Sequence, residues 1–171
     1  MSNLPFNPIL SPREIIEQGA FGGCYFGLSI DESTDYDYKS LFDKLFKGVD
    51  ESLYLGTKYL PKVNKFKIKS GMPYEYWRDM KWMHKDDPYG WFEWYCKYYI
   101  GRRHPDDDRQ IRRWQDFCGN NGRWRRNIYT KIHNTKDELT GKRVQQSLLH
   151  WGYIVNQDDY DYHCVRYLNK G

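Results

Sequence analysis

Asp86-Asp87-Pro88-Tyr89-Gly90-Trp91-Phe92-Glu93-Trp94-Tyr95-Cys96-Lys97-Tyr98-Tyr99-Ile100-Gly101 fixes the fold class more firmly than any other stretch of the chain. Trp91, Phe92, Trp94, Tyr95, Tyr98 and Tyr99 recur at i, i+1, i+3, i+4, i+7 and i+8, which spreads one aromatic face over two turns of helix. Asp86-Asp87-Pro88 reads as the helix entry, with an acidic cap and proline in the first turn. Gly101 reads as its left-handed stop. After the link Arg102-Arg103-His104, Pro105 and the acids Asp106–Asp108 open a second helix. There Ile111, Trp114 and Phe117 face inward, while Arg109, Arg112 and Arg113 share the other side.

Nearer the N-terminus, Ser11-Pro12-Arg13-Glu14 carries a capping-box start for a helix through Gln18, stopped by Gly19. Ala20–Gly27 is rich in glycine and aromatics, and Gly22-Gly23 permits close approach of backbone. It lacks the flanking strand and the Gly-Lys-Ser/Thr ending of a phosphate-binding loop. Asp31–Asp37 reads as an acidic loop. Tyr38–Phe46 shows a helical stripe of Leu41, Phe42, Leu45 and Phe46. Gly71–Pro73 restarts a helix with proline at its first position. Arg123–Ile132 and Thr140–Tyr153 are further helical stretches, and the tail from Asn156 is acidic and tyrosine-rich. The sequence therefore predicts a mainly α fold: one compact helical domain of about six helices over residues 11–155. An extended arm (1–10) precedes it and the tail (156–171) follows. Lys58–Ile68, with its run of lysines, is the place where a short β segment fits.

Composition supports this reading. The chain has 171 residues, and aromatics supply 18% of them. Mean hydropathy is −0.95, so rings rather than aliphatics must carry the burial. Intrinsic disorder is excluded by the aromatic content. A parallel α/β sheet is disfavoured by the lack of Val/Ile/Leu runs. No apolar run reaches the length of a membrane span, so no membrane partner is expected.

The charge is uneven. The whole chain carries +4, yet Lys97–Lys131 holds ten basic and four acidic residues, a local +6. Arg102, Arg103, Arg109, Arg112, Arg113, Arg123, Arg125 and Arg126 make up eight of the twelve arginines. Arginine binds phosphate and carboxylate through two parallel hydrogen bonds and stacks on rings, so this block predicts an anionic partner. A solvated face, or pairing with Asp106, Asp107, Asp108 and Asp116, is the competing, purely structural reading.

Cys24, Cys96, Cys118 and Cys164 form no closely spaced pair. They read as reduced thiols in a cytoplasmic or nuclear protein, since Met1–Leu10 has two prolines and no basic start of a secretory signal. A zinc site from Cys96, His104 and Cys118 matches no ligand spacing. No metal and no cofactor are therefore expected.

The segments Asp87–Tyr95, Gly101–Arg103 and Asp108–Trp114 resemble a family of small uncharacterised proteins with the pattern GWFxWY, GRR and DRQIxRW. Gly19–Gly23 and Leu148–Tyr153 extend the likeness. The resemblance implies one integral domain from about Ser11 to Tyr153 and supplies no activity and no catalytic residue.

Three functions remain open at this level. The leading one is a nucleic-acid-binding module, DNA slightly preferred to RNA, whose arginines contact phosphates while flanking aromatics stack on bases. The second is an enzyme on a nucleic-acid or phosphorylated substrate, with Glu93 and His104 as acid and base. The third is a structural or interaction protein of a viral or other assembly, meeting an acidic protein partner.

Overall fold

The computed structural model describes residues 3–28 and 34–169. Part of the expected acidic loop, residues 31–33, lies outside them, as do the outermost residues of the arm and tail. The described chain is mainly helical and forms one compact domain. Its helices are α1 (Pro12–Gln18), α2 (Tyr38–Leu45), α3 (Tyr74–Asp79), α4 (Trp91–Tyr99), α5 (Asp107–Cys118), α6 (Arg123–Thr135), α7 (Lys142–His150) and α8 (Gln157–His163). A five-residue π-turn, Cys164–Leu168, continues α8.

The capping box forms as the sequence predicts: Ser11 Oγ accepts the Glu14 N–H, and Glu14 returns the contact to the Ser11 N–H at 2.7 Å. α4 lies against α1 and α2, while α6 packs on α5, α7 and α8. Trp91, Trp94, Ile111 and Trp114 are all buried, so the two aromatic stripes meet in the core. The arm joins that core. Phe6 sits among Trp91, Trp94, Tyr95, Tyr98 and Trp114, with ring centroids 5.2–6.4 Å away. Aromatic pairs of this kind add about 0.5–1.5 kcal/mol each beyond their buried area.

Several sequence expectations need correction. Lys58–Ile68 is not a strand, and among the described residues no strand occurs, only an isolated bridge between His84 and Asp87. The segment instead wraps around the side chain of buried Asn64. Asn64 Oδ1 accepts the Gly22 N–H at 2.8 Å, and Nδ2 donates to Tyr59 Oη and the Ile68 carbonyl. Pro61–Val63 is a 3-10 turn within it. Gly19 and Gly22 have φ of +93° and +60°, and a Cβ on either would strike Val63 backbone or the Tyr59 ring. That is the close backbone approach the glycines suggested, made to a loop of the same chain.

Pro73 caps α3 from outside rather than opening it. α4 begins at Trp91 with Gly90 as N-cap, so Asp86-Asp87-Pro88 is no helix entry. Asp87 is instead a buried ion-pair partner. The tail is longer in helix than its composition suggested, because Asn156 caps α8 through the Asp159 N–H.

Candidate anion-binding groove

The arginine block does not form one surface. Arg102 donates twice to buried Asp87, at 2.8 and 2.7 Å. Arg103 lies 3.8 Å above the Tyr98 ring and donates to the Tyr98 and Arg102 carbonyls. Arg109 grips Asp106 through Nε and an Nη at 2.5 and 2.7 Å. Arg113 reaches Gln110 and packs near Trp151, and burial pulls its pKa down to about 10. Arg125 is buried, bound to Asp159 at 2.6 Å and to Asn120. These five arginines are engaged within the chain, but only Arg109 pairs with one of the four expected acids, Asp106; Arg102 and Arg125 find Asp87 and Asp159 instead. Arg112 is exposed and makes no ion pair among the described residues.

Arg123 and Arg126 behave differently. With Asn127, Thr130 and Lys131 they occupy i, i+3, i+4, i+7 and i+8 of α6, the polar stripe opposite buried Ile128, Tyr129 and Ile132. This stripe forms one wall of an open groove of about 1070 Å³. Gln115 and Asp116 at the end of α5 form a second wall. Pro5 and Asn7 of the arm and His163 and Tyr167 of the tail complete it. Among the described residues Arg123, Arg126 and Lys131 make no ion pair, and Asp116 is the one acid in the lining.

The local sequence explains the groove. Gly119 ends α5, and Gly122 begins α6 so tightly that a Cβ there would lie 2.7 Å from Phe117 backbone. α6 has no side-chain cap and no acid in its first turn. Its positive dipole end and its two groove arginines therefore add their potentials rather than cancel them. Arg126 is held 4.6 Å from the Tyr167 ring. His163 touches Thr130 at 3.1 Å; burial first, then Arg126 and Arg125, lower its pKa and favour the neutral ring. The α6 wall is thus cationic, and the one acid of the lining, Asp116, stands on the α5 wall. The sequence signal for it was the polar stripe of α6; Lys131 and the tail residues were not among the expected site residues.

The expected acid and base lie elsewhere. Glu93 is sealed from solvent on α4. Its carboxylate takes Tyr38 Oη at 2.6 Å, the Tyr89 N–H at 2.7 Å and Lys97 Nζ at 2.7 Å. Burial raises its pKa, and Lys97, Tyr38 and the Tyr89 N–H oppose the rise. His104 lies outside this network. Its Nε2 is 2.9 Å from Asp86 Oδ2 and its Nδ1 accepts the Asp106 N–H at 3.1 Å. Cys96 and Cys118 are buried free thiols, and neither joins His104 in a ligand cluster.

The fold and groove define a mainly helical domain with an open, one-sided cationic cleft. No family model, curated protein or solved structure matches the chain. Among the described residues no helix is long and apolar enough to cross a membrane.

Proposed function

We propose that the protein binds nucleic acid, DNA before RNA, by seating a short run of phosphates against the α6 wall of the groove. The observation that carries this reading is the row Arg123, Arg126 and Lys131 on one helix face, none of them in an ion pair among the described residues. Eight residues of helix rise roughly 12 Å, the axial span of about three to four nucleotides of one strand. The amides of Asn127 and Gln115 add neutral donors, and Tyr167 offers a ring face. Binding of this kind is dominated by counterion release and weakens steeply with salt.

The groove residues support binding rather than acid–base chemistry, since Glu93 is closed to substrate and His104 is already engaged. Anisotropy titrations of labelled duplex DNA, single-stranded DNA and RNA, each at several salt concentrations, test the reading. Affinity should fall linearly on a log–log scale, with DNA at least as tight as RNA. Absence of binding to all three at low salt contradicts it.

A further inference from the structure

Two histidines and a carboxylate converge away from the groove. His84 Nδ1 lies 3.6 Å and His104 Nε2 2.9 Å from Asp86 Oδ2, and the two imidazoles meet edge to face with centroids 4.9 Å apart. One ligand atom from each residue falls within 4.8 Å of the others. We propose that His84, Asp86 and His104 form a zinc site that ties the segment entering α4 to the segment leaving it.

Three features support the assignment. The donor set is two imidazole nitrogens and one carboxylate oxygen, which suits zinc far better than magnesium or calcium. The backbone of each ligand is fixed independently. The His84 carbonyl accepts the Asp87 N–H at 2.9 Å, the Asp86 carbonyl accepts Lys97 Nζ at 2.6 Å, and the His104 N–H donates to Asp107 at 2.9 Å. The Asp86 side chain is 46% exposed, so solvent can reach the cluster and complete a coordination shell.

The existing hydrogen bonds also set the affinity. His84 Nδ1 now accepts the Asp86 N–H, and His104 Nδ1 accepts the Asp106 N–H. The neutral His104 ring therefore carries its proton on Nε2. On loading, that proton moves to Nδ1, the Nε2 lone pair turns to the metal, and both backbone N–H contacts are given up. The expected affinity is micromolar rather than that of a preformed structural site.

Calorimetric titration of Zn²⁺ into the chelator-treated full chain tests the site. Either His84→Ala or His104→Ala should weaken binding about tenfold or more. Lys85→Ala should leave it unchanged, as should the pair His133→Ala with Cys164→Ser, which removes a histidine–thiol contact of 3.8 Å elsewhere in the fold. On the wild-type chain, zinc should shift the imidazole NMR signals of His84 and His104 before those of His133, His150 and His163, a readout that needs no variant to fold. No binding at millimolar zinc, binding retained by both histidine variants, or first shifts at the other histidines overturns the proposal.

Discussion

Lys97 Nζ lies 2.7 Å from the Glu93 carboxylate one turn earlier on α4, and neither side chain has more than 1% of its surface exposed. Asp87 closes the group at 3.1 Å from the same nitrogen. Removing the cation alone leaves the Glu93 charge buried without a counter-ion, while Asp87 keeps Arg102. Lys97→Met should therefore destabilise the fold by about 3–5 kcal/mol, the usual scale for breaking a buried pair from one side. Urea denaturation measures it. The double variant Lys97→Met with Glu93→Gln should recover part of the loss, because the orphaned Glu93 charge is gone.

Acid should weaken the fold through His150. Burial lowers its pKa from 6.5 to about 3, with Nε2 accepting the Phe21 N–H at 3.1 Å. Between those values the unfolded chain binds a proton that the folded chain refuses. Stability is thus lost as pH falls below 6.5, by up to about 1.4 kcal/mol per pH unit. His150→Gln should flatten the stability–pH curve over that window by about one proton, as read from urea midpoints at successive pH values.

Gly19→Ala should cost at least about 1–3 kcal/mol from the left-handed backbone alone, since φ is +93°. The new methyl also meets the Val63 carbonyl, which is pinned by the loop around Asn64. Gly48→Ala is the matched control: φ is +80°, yet nothing lies within 4 Å of its Cβ. Comparing the two thermal midpoints separates crowding from strain.

Arg102→Ala should lower stability without touching the groove. Its guanidinium is the bidentate partner of buried Asp87, so the loss falls on folding. Below the unfolding transition, nucleic-acid affinity and its salt dependence should equal those of the wild type. A changed salt slope for this variant would place phosphate contacts on the Arg102 side of the molecule.

How much of this was legible in the sequence depended on the range of each interaction. The Ser11 cap, the α4 aromatic stripe and the inward face of α5 are local, period-driven features, and the residues alone placed them. The basic block was legible as a charge excess but not as a site. Arg102 finds Asp87 fifteen residues away, and Arg125 finds Asp159 thirty-four away. Spacing cannot reveal such pairings, so the eight arginines looked equivalent when five are largely committed to internal partners. Asp87 misled for the same reason: beside a proline it looks like a cap, and only the buried Lys97 and Arg102 show its role. The groove needed the tail to fold back over α6, which composition did not suggest.

The salt slope of DNA binding in the Arg123→Ala, Arg126→Ala double variant counts the phosphates that the α6 wall holds. Two phosphate contacts fewer should make the log K against log salt slope shallower by roughly 2 on duplex DNA, at nearly wild-type thermal stability. A double variant with the wild-type slope and affinity would contradict the assignment of the groove as the phosphate-binding surface.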